Sequence, residues 1–187
     1  MVLDITDFTC AEVGGNTVIL TVTDNNGNTD QCTATVMVHD TISPTAVCQD
    51  IDAYLDATGN VTIAAADVDN GSSDTCGIAS MVLDITDFTC ADIGGNLVTM
   101  TVTDNNGNID VCTATVTVID TISPVAVCQD IDAYLDATGN VTIAASDIDN
   151  GSSDACGIAS MVLDITDFTC ADIGGNLVTM TVTDNNG

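Results

Sequence analysis

The sequence predicts an all-β protein of tandem β-sandwich repeats, and three observations carry that prediction. Residues 81–107 recur without change as 161–187, which sets a period of 80 residues. Short runs alternate apolar and polar side chains with period two. Clusters of Gly, Asn, Asp and Pro separate those runs.

The repeat extends through the remaining sequence. Residues 41–80 return as 121–160 with four exchanges, Thr45/Val125, Ala66/Ser146, Val68/Ile148 and Thr75/Ala155. Met1 stands at the repeat position of Met81 and Met161, so it is expected to be an internal residue of a longer protein. In Leu97 to Asp104, Val98, Met100 and Val102 face one way and Thr99, Thr101 and Thr103 the other. From Cys112 to Val118, Cys112, Ala114, Val116 and Val118 form the inner face. Ile51 to Leu55, Val61 to Ala65 and Met81 to Thr86 read as further strands, and no stretch has helical periodicity. Asp56 to Asn60, Asp69 to Asp74, Gly94 to Asn96 and Asp104 to Asn108 supply turn residues that tolerate positive φ. A unit of about seven strands follows, and a β-helical solenoid, whose coils take about 20 to 30 residues, fits less well.

Proline ends a ladder, so Asp40 to Pro44 and Asp120 to Pro124 mark domain boundaries. The expected division is 1–39 as the C-terminal half of one repeat, 40–120 as a complete repeat, and 121–187 as a repeat lacking its final strand.

Charge narrows the classes of partner. There are 28 Asp and Glu and no Lys or Arg, giving a formal net charge of −28. Nucleic acid and anionic membrane surfaces are recognised through Lys and Arg, so neither is an expected partner. No long apolar run occurs, and no membrane insertion is expected in this segment. With 45% hydrophobic residues the chain is too apolar for an acidic disordered tail. An enzyme is not expected. The single histidine, His39, gives way to Ile119 in the next copy, and carboxylates are too abundant for any pair to point to a catalytic site.

The nine cysteines fall at four recurring positions without a Cys-x-x-Cys pair, which predicts a disulfide framework in an oxidising compartment, extracellular or at the cell surface. Four cysteines per repeat allow three connectivities, and the spacing does not choose among them.

Several segments together resemble a hyalin repeat: Asp40-x-x-x-Pro44, Ala46-Val47-Cys48, Asp74-Thr75-Cys76-Gly77, Val98-Thr99-x-Thr101-Val102-Thr103-Asp104-Asn105-Asn106-Gly107-Asn108, and Cys112 to Val118 with its alternating threonines. The resemblance covers the whole 80-residue unit. It departs at Ser43-Pro44, where Pro-Pro is common, at Cys48-Gln49, where Cys-Pro is common, and in its few aromatics. It implies an immunoglobulin-like fold and a place in very long surface proteins associated with cell adhesion, including gliding-type adhesins of Bacteroidetes-type bacteria. In an immunoglobulin-like sandwich the first and last strands lie side by side. That topology favours Cys48 with Cys112, leaves Cys76 with Cys90, and by repetition puts Cys156 with Cys170. Cys10, Cys32 and Cys128 then lack partners in the sequence.

Two acidic loops are candidate Ca²⁺ ligands, because closely spaced carboxylates and amides suit a hard cation. One holds Asp67, Asp69 and Asp74, repeated as Asp147, Asp149 and Asp154; its alternating oxygens and Gly71 match part of an EF-hand loop, without the distal Glu. The other places oxygens at every second residue, at Asp104, Asn106, Asn108 and Asp110. Asp40 and Asp120, at the repeat junctions, are further candidates. The competing reading is that Asp and Asn only make turns. Asp40-Thr41-Ile42 and Asp120-Thr121-Ile122 also resemble a Bacteroidetes O-glycosylation motif, which makes Thr41 and Thr121 candidate glycan sites.

Two functions remain as expectations. The first is a structural segment of an extracellular filament or adhesin stalk, stiffened by disulfides and Ca²⁺, with adjacent repeats or copies of itself as partners. The alternative is a multivalent module that binds surface glycans or proteins through many weak sites. Exposed aromatics at one place in every copy would favour the second, and the repeat offers only Tyr54 and Tyr134.

Overall fold

Alternating sequences become strands where a neighbouring strand takes up their backbone hydrogen bonds. The computed structural model describes residues 1–186 and is all-β. Strands β1 (Val2–Leu3), β2 (Gly14–Thr23) and β3 (Thr29–Val38) form one antiparallel sheet in that order. Then come β4 (Ile51–Tyr54), β5 (Asn60–Thr62), one turn of helix α1 (Ala65–Val68), β6 (Ile78–Leu83), β7 (Asp87–Thr89), β8 (Gly94–Asp104) and β9 (Ile109–Ile119). Their sheets are β4-β9-β8-β6 and the pair β5-β7. The last copy supplies β10 (Asn140–Thr142), one turn of helix α2 (Ala145–Ile148), β11 (Ile158–Leu163), β12 (Asp167–Thr169) and β13 (Met180–Asp184), paired as β10-β12 and β11-β13.

Contacts divide the chain into two compact units. The first comprises Met1–Ile51, Ala64–Ile85 and Leu97–Thr115; the second comprises Asp52–Ile63, Thr86–Asn96 and the described residues from Val116 onward. In the first, Val68, Val98, Met100 and Val102 are wholly buried, with Val18, Leu83 and Ala114 close to it. Burial alternates along β8 as its sequence does, since Thr99, Thr101 and Thr103 stay partly exposed. In the second, Phe88, Val116 and Val118 are buried, as are Ala53, Leu55 and Ile63. A separate cluster there joins Ile143, Ile148, Leu163 and Met180.

The near-identical copies repeat their pairing residue by residue. Ile78 lies opposite Asp104 and Leu83 opposite Met100, and Ile158 and Leu163 face Asp184 and Met180 in the same register. Identical sequences nevertheless differ where their neighbours differ. Ile51–Tyr54 is a strand beside β9, whereas its copy from Ile131 to Tyr134 is not. Gly94–Thr99 begins β8, whereas the same residues from Gly174 to Thr179 have no strand assignment. Leu177 is accordingly 90% exposed, against 67% for Leu97.

The expected run Val61 to Ala65 ends sooner than its sequence suggests, because α1 begins at Ala65. Asp67 fixes the helix start by accepting a hydrogen bond from the Ala64 backbone at 2.8 Å.

Candidate functional site

The disulfides come first, because they decide what the repeat can hold together. Cys48 is joined to Cys112, with Cα atoms 5.7 Å apart. Cys76 is joined to Cys10 rather than to Cys90, and Cys156 to Cys90 rather than to Cys170. Both corrections have one physical cause. Past Cys76 the chain is committed to β6 by its pairing along β8, and the cysteine that the fold brings within bridging distance, 5.1 Å between Cα atoms, belongs in each case to the adjacent copy. Cys90 instead opens a single 3₁₀ turn, Cys90–Asp92, capped by the Thr89 hydroxyl and by Asp92. It lies against Gly59, at the end of the β5-β7 pair. The same turn at Cys10–Glu12 places Cys10 for Cys76. Cys32, Cys128 and Cys170 are free and exposed.

The acidic residues are turn makers at close range. Asp69 receives the backbone N–H groups of Ser72 at 3.0 Å and Gly71 at 3.3 Å, and Asp74 receives that of Cys76 at 2.7 Å. Asp147, Asp149 and Asp154 make the same contacts with Ala144, Ser152 and Cys156. Hydrogen bonds from Ser72, through its side chain and then its backbone, hold the Asp69 carboxyl below the ordinary aspartate value.

Asp104 is 2% exposed. Its carboxylate accepts the backbone N–H groups of Asn106 and Asn108, both at 2.8 Å, and the Asn108 side-chain amide at 2.7 Å. Burial opposes its charge, but the Asn108 and Asn106 donors outweigh burial and lower its pKa. Asp110 accepts the Ala46 backbone N–H at 2.9 Å, and that bond, followed by one from Val111, lowers its pKa too.

The Asp104–Asn108 turn also reaches the Asp40 segment. Asn106 donates its side-chain amide to the Asp40 carboxylate at 2.7 Å, and Asn108 donates to the Asp40 and Ile42 carbonyls at 3.3 and 3.1 Å. Asp40 and Asp74 converge with the Cys76 sulfur, their ligand atoms within 4.8 Å of one another, and Asp120, Asp154 and the Cys156 sulfur do the same. Both sulfurs are bound in disulfides, so what each cluster offers a cation is a carboxylate pair. Asp67 and Asp69 join neither cluster. Of the expected ligands, therefore, Asp74 brings a carboxylate to Asp40 and Asn106 and Asn108 reach it through their amide N–H groups, while Asp67, Asp69, Asp104 and Asp110 are engaged in separate turn and backbone contacts. A two-carboxylate meeting point was not legible from spacing, because Asp40 and Asp74 are far apart in sequence.

Thr41 and Thr121, the candidate glycan sites, are exposed. Tyr54 and Tyr134 are 56% and 81% exposed at one repeat position. No helix among the described residues is long and apolar enough to cross a membrane. Compared with known proteins, the chain matches no family model and no curated protein.

Proposed function

We propose that the chain is a segment of a long extracellular filament or adhesin stalk, built from tandem immunoglobulin-like β-sandwich repeats of the hyalin type. The observation that carries this reading is the recurrence of one bridge. Cys10–Cys76 and Cys90–Cys156 have the same sequence separation of 66 and join the same two repeat positions. Such bridges persist in an oxidising compartment, which fits a place outside the cell. A repeated staple between near-identical copies suits a part whose task is length and stiffness rather than individual chemistry.

Calcium is the second stiffener in this reading. The carboxylate pairs Asp40/Asp74 and Asp120/Asp154 supply hard oxygen donors of the kind Ca²⁺ takes. No Lys or Arg competes for them. Adjacent repeats or further copies of the chain are the partners, and no catalytic role is assigned.

Small-angle scattering on oxidised arrays of two, four and six repeats tests the stalk. The maximum dimension should grow in proportion to repeat number, and growth as the cube root would refute it. Exposed Tyr54 and Tyr134 support the adhesive alternative, because a ring presented once per copy can stack on a sugar. Retention of the wild-type chain on a glycan surface, lost on Tyr54→Ala and Tyr134→Ala together, would favour it.

A further inference from the structure

We infer that the disulfides convert the repeat array into a covalent ladder, in which load between Cys10 and Cys156 bypasses most of the backbone and a single cut between them does not part the chain. The bridges overlap: Cys10–Cys76 closes around Cys48, Cys48–Cys112 closes around both Cys76 and Cys90, and Cys90–Cys156 closes around Cys112. Every peptide bond from Cys10 to Cys156 therefore lies inside at least one closed loop. Each of the two bridges of sequence separation 66 ties cysteines from successive sequence copies into one compact unit, Cys10 with Cys76 in the first and Cys90 with Cys156 in the second.

The shortest covalent route from Cys10 to Cys156 crosses Cys10–Cys76, follows the chain from Cys76 to Cys90, and crosses Cys90–Cys156. That route contains about 14 residues, or roughly 50 Å at full extension, plus two bridges of 5.1 Å between Cα atoms. With the bridges reduced, the same two points can separate by roughly 500 Å. The stretch that carries the load contains β6, which is itself paired along β8 from Ile78 to Leu83. Where the same repeat continues, Cys128 stands at the position of Cys48 and Cys170 at that of Cys90, the positions at which the next two bridges begin. The ladder's use under tension rests on the stalk reading; its connectivity does not.

The sequence offers an unusually clean test, because a chain without Lys or Arg has no trypsin site until one is introduced. Ala57→Lys places one inside Cys10–Cys76 and Cys48–Cys112, Ala137→Lys places one inside Cys90–Cys156, and Leu177→Lys places one outside every bridge. The free thiols are first alkylated to prevent exchange, and trypsin then acts in moderate urea so that each site is cut whether or not its turn is tight. The Ala57→Lys and Ala137→Lys chains should remain single species without reductant and fall into two fragments with it. The Leu177→Lys chain should separate either way. Separation of either inner cut without reductant overturns the ladder.

Pulling the chain by its ends gives an independent reading. Reduction should lengthen the fully extended stretch between Cys10 and Cys156 about eightfold, and equal lengths before and after reduction would overturn the load bypass. Failure here leaves the stalk standing, whereas scattering that shows no growth in length removes the stalk and leaves the ladder.

Discussion

Gly59 sits so close to Cys90 that a Cβ built on it would come within 2.6 Å of the Cys90 sulfur, and its φ is +76°. Both facts exclude a side chain. The left-handed backbone alone costs an alanine about 1 to 2 kcal/mol, and the sulfur cannot rotate away because it is tied to Cys156. Gly59→Ala should therefore destabilise the oxidised chain by about 2 to 4 kcal/mol, read as a lower denaturant midpoint. Gly139 repeats the geometry at φ +79°, where a built Cβ would come within 2.8 Å of the Cys170 sulfur, but that free thiol can swing aside. Gly139→Ala should cost only the backbone part, about 1 to 2 kcal/mol. Equal losses at the two sites would refute the bridge as the cause of the difference.

Much of this architecture is legible in local sequence. Val98, Met100 and Val102 alternate with threonines, and β8 buries them in that order because side chains on a strand point alternately to opposite faces. α1 was not legible, since a single turn from Ala65 to Val68 is too short to show a period. The strand at Ile51–Tyr54 and the unassigned copy at Ile131 to Tyr134 mark a deeper limit: the same residues pair only where β9 lies alongside. Disulfide partners are the sharpest case. Spacing shows that Cys76 and Cys90 recur, but only the folded path of the chain shows that each pairs with a cysteine of a different copy. The Asp40/Asp74 meeting point is illegible for the same reason, as it depends on chain path rather than on any motif.

Thiol accounting checks that pairing directly. Alkylation of the native oxidised chain should label three cysteines, Cys32, Cys128 and Cys170, and reduction should release the other six. Peptide mapping at acidic residues should recover Cys10 linked to Cys76 and Cys90 linked to Cys156. A peptide linking Cys76 to Cys90 would overturn the connectivity described above.

Asp104 should couple stability to pH. Its folded pKa lies below the ordinary aspartate value of 3.8, so the unfolded chain binds a proton at higher pH than the folded one. The stability it contributes is complete above the unfolded value and is lost as pH falls from there through the depressed folded value. Asp104→Asn keeps an acceptor oxygen but removes the charge, so it should lower stability at pH 7 and flatten the loss between pH 4 and the folded pKa. Asp104→Ala leaves the Asn106 and Asn108 donors without their acceptor and should lower stability at pH 7 by more than Asp104→Asn does. Urea midpoints across pH check both. An Asp104→Asn chain with the wild-type pH profile would show that this carboxylate does not set it.

Calcium stiffening makes a prediction that separates ligands from turn makers. Extracellular modules bind near 10⁻⁴ to 10⁻³ M, so about 10 mM Ca²⁺ should add about 1 to 3 kcal/mol to a domain that binds it, a midpoint rise of several degrees. Magnesium or sodium at matched ionic strength should give less, since screening alone acts equally on all 28 acidic side chains. Asp74→Asn preserves the oxygen facing the Cys76 backbone but halves the charge of the Asp40/Asp74 pair, and Asp154→Asn does the same at Asp120/Asp154. The two substitutions together should abolish the calcium-specific rise. Asp67→Asn should retain it, because Asp67 faces the Ala64 backbone and belongs to neither pair. A rise that survives loss of both pairs would place the ions elsewhere, and no rise in the wild-type chain would leave the bridges as the stiffening element and the aspartates as turn makers.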